Sequence, residues 1–246
     1  LTGQLTFSII VPVLNEEKLL PGLLDNLSII TKTQNSVELI IADGGSSDKS
    51  VELCKSRVDK IIDVSREVVN NIASGRNSGA WAASGDILIF CNADVLFASP
   101  GALTAVIDDM FSHDQKLIAV AAWVETFPEE EKLIDRMFHL FYNHYFRLLN
   151  IFRLGMGRGE CIIVRSSDFK KIGGFNQDLP AGEDFDLFNR LIKLGNVEYS
   201  KKIKVYESPR RFRKLGYLKV TSIWTLNALS IMFRNRSISK EWKQVR

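Results

Sequence analysis

The chain has 246 residues, 46% of them hydrophobic and 25% charged, with a formal net charge of +3. This composition excludes disorder over most of the length and supplies one sizeable core, as one large α/β domain or a domain plus a lobe. Three widely spaced cysteines, Cys54, Cys91 and Cys161, form no C-x-x-C pair; they exclude a disulfide framework or structural zinc and point to a reduced, cytosolic-type protein. The chain begins Leu1-Thr2-Gly3, which reads as a trimmed start, and no signal peptide is expected.

"FSIIVPV" (7–13) is a nearly continuous apolar run rich in β-branched residues, and predicts a strand buried on both faces. Asn15-Glu16-Glu17 then opens a helix carrying Leu19, Leu20, Leu23, Leu24 and Leu27 at helical spacing. "VELIIAD" (37–43) predicts a second buried strand, "GGSSDKS" (44–50) a loop, and "KIIDV" (60–64) a third strand. "GRNSGAWAASG" (75–85) contains a small-residue helix able to approach the sheet closely, and "DILIFCNAD" (86–94) follows as a fourth strand. Pro100 sits near the first turn of another helix running to about Ser112, and "LIAVAAWVET" (117–126) is a fifth strand.

Strands alternating with helices predict a parallel sheet covered on both faces, with ligands at the carboxyl ends of the strands. Asn15, Asp43 and Asp94 each follow a strand at that edge. The second half differs. Residues 131–154 predict a long helix dense in aromatics, "ECIIVR" (160–165) a strand, "SSDFKKIGGF" (166–175) a helix ending in glycines, and "GEDFDLFNRLIKLG" (182–195) a helix with an acidic first turn.

"SIIVPVLNEE", "IIADGGSSDKS", "GRNSGAWAASGDILIFCNADV", "KKIGGF" and "GEDFDLFNRLIKLG", taken in order, resemble the successive blocks of the family 2 glycosyltransferases of the GT-A fold, over roughly residues 7–215. The resemblance implies an α/β fold with a Rossmann-like nucleotide-binding sheet and a C-terminal acceptor lobe. It divides the chain into a nucleotide-sugar-binding half at about 1–126, an acceptor-binding half at 127–215, and a basic, amphipathic helix and tail at 216–246. It also implies that Pro12, Glu16 and Asp43 line a nucleotide pocket, with Asn15 beside them. Carboxylates there would accept hydrogen bonds from base and ribose. The same residues also suit simpler roles, as helix caps for Asn15 and Glu16 and a turn former for Asp43. Gly45, with Gly44, would let the backbone approach the ligand, and Arg76 matches a basic residue near the phosphates.

The family pattern Asp-x-Asp reads Asn92-Ala93-Asp94 here. The resemblance implies that Asp94 holds a divalent metal, Mn²⁺ or Mg²⁺, bridging the donor diphosphate. Such ions take hard oxygen ligands and leave several positions to phosphate and water, so one carboxylate can suffice. Asn92 keeps a carbonyl oxygen but removes a charge, which predicts a working but weakened site. The Glu183-Asp184 pair matches the family's catalytic acids, with Asp184 as the base that takes a proton from the acceptor hydroxyl and Glu183 near the acceptor. Two acids at a helix start also complement the helix dipole.

From Lys201 to Arg246 there are 13 Lys and Arg against Glu207 and Glu241, a local +11, and the remaining 19 basic and 27 acidic residues leave −8 on the rest. A basic end on an acidic body suits an anionic partner. "SPRRF" (208–212) is similar to the Gln-x-x-Arg-Trp element of processive members, with Ser and Phe as departures that weaken the case for processivity. Arg210 or Arg211 would stabilise a diphosphate leaving group. The uncharged stretch Val220–Phe233 is shorter than the roughly 20 apolar residues of a membrane span, and Arg213, Lys214, Lys219, Arg234, Arg236 and Lys240 flank it. It can lie in a membrane interface, joined by the aromatic helix, or the two can pack as an acceptor lobe.

The resemblance thus implies a metal-assisted, inverting glycosyltransferase using a UDP- or GDP-linked sugar and a glycan or lipid-linked acceptor in cell-envelope glycan synthesis. The expected location is cytoplasmic, with peripheral contact at the inner face of the membrane. A catalytically weak nucleotide-sugar-binding relative is the alternative that Asn92 motivates. A sugar-phosphate nucleotidyltransferase would want a basic glycine-rich loop where "VPVLNEE" is acidic, and no nucleic-acid-binding module is present.

Overall fold

A computed structural model of the chain describes residues 5–33 and 36–239. Lys240 and the rest of the basic tail lie outside the described residues, as does the Leu1-Thr2-Gly3 start. In chain order the elements are β1 (Phe7–Val13), α1 (Leu20–Thr33), β2 (Val37–Asp43), α2 (Ser50–Cys54), β3 (Lys60–Asp63), α3 (Ile72–Trp81), β4 (Ile87–Cys91) and β5 (Val95–Phe97). A 3-10 turn at Pro100–Ala102 leads into α4 (Leu103–His113), then β6 (Leu117–Thr126), α5 (Leu133–Ile151), β7 (Cys161–Arg165), α6 (Ser166–Lys171) and α7 (Glu183–Leu191). The chain continues through β8 (Asn196–Glu207), α8 (Arg210–Leu215) and α9 (Tyr217–Arg234).

The strands form one sheet in the order β3-β2-β1-β4-β7-β6-β8-β5. The first four are parallel neighbours, as alternating strands and helices dictate. The parallel arrangement expected from the first half holds for β1 to β4, and strands of the second half add antiparallel pairings beyond β4. There β7 inserts antiparallel between β4 and β6, and β5 pairs antiparallel with β8, so the sheet is mixed. β5 stands at the far edge of the sheet against β8, and β4 takes β1 on one side and β7 on the other.

Apolar side chains of β1 and β4 face both ways, into two clusters on opposite sides of the sheet. One cluster takes α1 and α4, the other α3, α6 and α7. The small residues of α3 have a packing reason: a Cβ on Gly79 would stand 2.4 Å from Ile10 Cγ2, so only glycine lets the helix sit this close to β1. Three elements lie beyond the sequence expectations: the short β5, the 12-residue strand β8, and α8, which carries Arg210 and Arg211. The β5–β8 register sets Val95 opposite Glu207, which brings the Arg210 segment beside Asp94.

Candidate active site

Two adjoining cavities open at the carboxyl edge of β1, β2 and β4. The larger, about 520 Å³, is lined by Pro12, Glu16, Asp94, Arg210 and Arg211 among others, a size that suits a nucleotide-sized ligand. The smaller, about 80 Å³, is lined by Arg76, Glu183, Asp184, Gly159 and Trp224. Asn92, Glu160, Ile72 and Trp224 border both.

Asn15, Asp43 and Gly45 build the rim without lining either cavity. Asn15 has φ 52°, and its side-chain oxygen accepts from the Ser47 and Asp48 amides at 2.7 and 3.3 Å. The Asp43 carboxylate accepts from the Gly45 and Ser46 amides at 3.1 Å. Gly45 has φ +97°, the left-handed region that favours glycine. The loops after β1 and β2 are thus tied to each other, and this fixes the entrance between them.

Arg76 is fully buried beneath the point where the cavities meet. Its guanidinium donates to Glu183 Oε1 at 2.9 Å, to Asn92 Oδ1 at 2.9 Å and to the Gly159 carbonyl at 2.7 Å, and it stacks over Phe175. The amide at the first position of the Asp-x-Asp pattern therefore has a local partner, since Asn92 turns its oxygen to Arg76. Arg76 in turn engages the Glu183 carboxylate and leaves Asp184 as the neighbouring acid without that ion pair. A Cβ on Gly159 would stand 3.2 Å from both Arg76 Nη2 and Asp184 Oδ2, so the glycine makes room for the two side chains. Gly182 opens α7 at φ +82°, and a Cβ there would meet Ile231 of α9 at 2.5 Å. Burial, then the adjacent Glu183, push the Asp184 carboxyl up to about 8. Asp186 pairs with Arg190 at 2.6 Å on the same helix.

Asp94 faces the larger cavity. Arg210 bridges it to Glu16, with contacts of 3.0 Å to Asp94 and 3.3 Å to Glu16. A cation therefore already stands between two acids that belong to different strand ends. Among the described residues no three His, Cys, Asp or Glu side chains converge to hold a metal. The donor set fits a divalent ion in one form: a single hard carboxylate, Asp94, completed by phosphate and water oxygens. Asn92 adds no carboxylate and has its oxygen on Arg76.

Sequence reasoning missed a second buried ionic cluster at this edge. Arg158 pairs with Glu160 at 2.8 Å and with Glu207, and contacts His139 Nδ1 at 3.0 Å. Burial would raise Glu160, but Arg158 outweighs it and holds that carboxylate ionised below its usual range. Burial and the negative charge of Glu160 push Glu207 up to about 8. Burial beside the Arg158 cation drives His139 down to about 2, so the imidazole is neutral. The only sequence signal was a charged "GRGE" run directly before a buried strand.

Known proteins resemble the chain in sequence and in fold. The chain is 36% identical over 106 residues to a 4,4'-diaponeurosporenoate glycosyltransferase of Staphylococcus haemolyticus, covering 42% of this chain and 28% of that protein. It is 24% identical over 214 residues to a validoxylamine A glucosyltransferase of Streptomyces hygroscopicus subsp. limoneus, covering 75% of this chain and 47% of that one. It thus spans less than half of either relative. The fold is that of the mannosyltransferase PcManGT from Pyrobaculum calidifontis in complex with GDP-Man and Mn²⁺, at TM-score 0.70 and 19% identity, covering 93% of this chain and 63% of that one. The glycosyl transferase family 2 profile matches residues 8–173, from the first strand through the small-residue helix and the Asn92-Ala93-Asp94 corner to the Gly173 turn. The chain belongs to glycosyl transferase family 2.

Proposed function

We propose that this chain transfers a sugar from a UDP- or GDP-linked donor to an acceptor hydroxyl or phosphate, with inversion at the anomeric carbon. The observation that carries the reading is the division of labour at the junction of the two cavities. Arg76 pairs with Glu183, and Asp184, raised by burial, stands beside Gly159 at the wall of the smaller cavity. The donor lies in the larger cavity, over Pro12 and Glu16, with its diphosphate toward Asp94, Arg210 and Arg211. The acceptor enters from the Trp224 side.

In the reaction the acceptor oxygen attacks the anomeric carbon as the bond from that carbon to the diphosphate oxygen breaks. Asp184 takes the acceptor proton, a role a carboxylate with a pKa near 8 performs well at neutral to mildly alkaline pH. Arg210 and Arg211 meet the charge that develops on the leaving diphosphate. A divalent cation, Mn²⁺ or Mg²⁺, would be held by Asp94 and would neutralise part of the diphosphate charge when bound. PcManGT, of like fold, is complexed with GDP-Man and Mn²⁺. Arg210 must then release Asp94 or share it. We also propose a cytoplasmic location, consistent with three buried, unpaired cysteines, and a glycan or lipid-linked acceptor of the cell envelope.

The test is release of nucleoside diphosphate from a panel of UDP- and GDP-sugars, with Mn²⁺ or Mg²⁺ and cell-envelope extract as acceptor source. Release by the native chain and its absence in Asp184→Asn supports the reading. Equal release by both proteins removes Asp184 from the mechanism.

A further inference from the structure

The helix α5 is inside out. Its buried stripe is Asp135, His139, Asn143, Phe146 and Asn150, polar in four positions of five. Its outward stripe is apolar, with Ile134, Met137 and Phe141 exposed and Ile151 70% exposed. A helix on a water-facing surface carries the opposite pattern.

The polar stripe also locks the helix against rolling its apolar side inward. Asn143 exchanges hydrogen bonds with the Val124 backbone at 2.8 and 3.2 Å and accepts from Tyr199 Oη at 2.9 Å. Asn150 closes onto Met156, and Asp135 takes Arg213 and Tyr217. Turning α5 over would strand these groups without their hydrogen-bond partners.

The neighbouring helix α9 repeats the feature. Tyr142 Oη bonds Thr221 Oγ1 at 3.1 Å, and Trp224 lies edge-on to Tyr142, so the two helices adjoin. Leu218, Leu226, Leu229 and Phe233 of α9 are exposed. The charges decide what covers this face. On α5 and α9 every exposed charged side chain is basic, namely Arg136, Arg147, Lys219 and Arg234, and the one acidic residue, Asp135, is buried. A second copy of this face would set like charges against each other, whereas an anionic lipid surface complements both the cations and the apolar side chains. Among the described residues no helix is long and apolar enough to cross a membrane, so the helices would lie in the interfacial plane.

We infer that α5 and α9 together form a docking face that seats the protein peripherally on an anionic bilayer. The inference does not depend on the transferase reading. Its consequence for that reading is positional: Trp224 and Asn227 of α9 also line the cavity that holds Asp184, so docking brings the acceptor entrance to the lipid surface.

The test is co-sedimentation of the 246-residue chain with phosphatidylcholine vesicles, with and without phosphatidylglycerol, alongside analytical ultracentrifugation. Partition onto the anionic vesicles is expected, falling by about five-fold for each of Arg136→Gln and Arg147→Gln. The exposed pair Phe141→Glu and Ile151→Glu is expected to abolish it while leaving the thermal unfolding transition in place. Absence of binding by the folded native chain would overturn the inference, as would binding that the Phe141→Glu, Ile151→Glu variant retains. A native dimer that the same variant dissolves would assign the face to a second copy and overturn it equally.

Discussion

Arg76 donates to the Glu183 carboxylate across 2.9 Å and 107 residues of sequence, with both side chains nearly excluded from water. This contact separates two adjacent acids that the sequence presents as equivalents. Glu183 is held by a buried cation. Asp184, next to it, has its carboxyl pushed up to about 8 by burial and by the adjacent Glu183 charge.

Replacement of Asp184 by Asn is expected to lower the transfer rate by roughly 10²–10⁴-fold, the usual worth of a positioned base. Donor binding should be unchanged, because Asp184 lines the smaller cavity and not the larger. Steady-state kinetics and nucleotide titration check the two halves separately.

The rate should depend on pH with a defined sign. Asp184 must be ionised to accept a proton, so kcat/KM is expected to rise with pH through a limb near 8. Stability runs the other way. For Asp184 and Glu207, both raised to about 8, the contribution is present at low pH and is lost as pH rises through that value. A pH–rate profile and urea denaturation from pH 5 to 9, a window chosen to bracket these values, test both signs.

Arg76→Met leaves Glu183 and the Gly159 carbonyl without their partner and is expected to destabilise the fold by about 3–5 kcal/mol. Adding Glu183→Gln should recover part of that loss, since the uncompensated charge is removed. Chemical denaturation of the single and double variants measures the recovery.

The two acids that share Arg158 should respond differently to neutralisation. Glu160 is ionised and paired, so Glu160→Gln is expected to cost about 3–5 kcal/mol. Burial and the charge of Glu160 push Glu207 up to about 8, so Glu207→Gln is expected to change stability at pH 7 by less than about 1 kcal/mol. Thermal melts at pH 7 suffice.

Asn92→Asp should change metal dependence by less than about ten-fold, an energy of about 1.4 kcal/mol. The reason is the hydrogen bond from Arg76, which would take up much of an added charge at that position. Transfer rates titrated with Mn²⁺ in the two proteins decide it.

Much of this site is legible in the sequence because each strand delivers its polar residue at a fixed place, its carboxyl end. Asp94 is found that way, whereas Glu16 and Asn92 are reached through the resemblance to the family's motif blocks. The partner choices are not legible. Nothing in the spacing of Arg76 and Asn92 says that the guanidinium takes the amide oxygen, and Asn15 and Asp43 use their side chains to close loops. β8 is not legible because Lys201, Lys202 and Lys204 mask a period-two pattern in Val197, Tyr199, Ile203 and Val205, and a register shift interrupts its pairing with β6. The Arg158 cluster forms across β8, α5 and the approach to β7, so no local motif announces it. The antiparallel insertion of β7 is likewise a matter of strand order, which local pattern does not encode.

The most direct measurement is calorimetric titration of UDP and GDP into the native chain with Mn²⁺ and again with EDTA, repeated on Asp94→Asn and Asp184→Asn. One nucleoside diphosphate should bind in the presence of Mn²⁺, weaken in EDTA and in Asp94→Asn, and bind unchanged to Asp184→Asn. Failure of the folded native chain to bind either nucleotide, or binding indifferent to Asp94, would contradict the placement of the donor in the cavity over Pro12, Glu16 and Asp94.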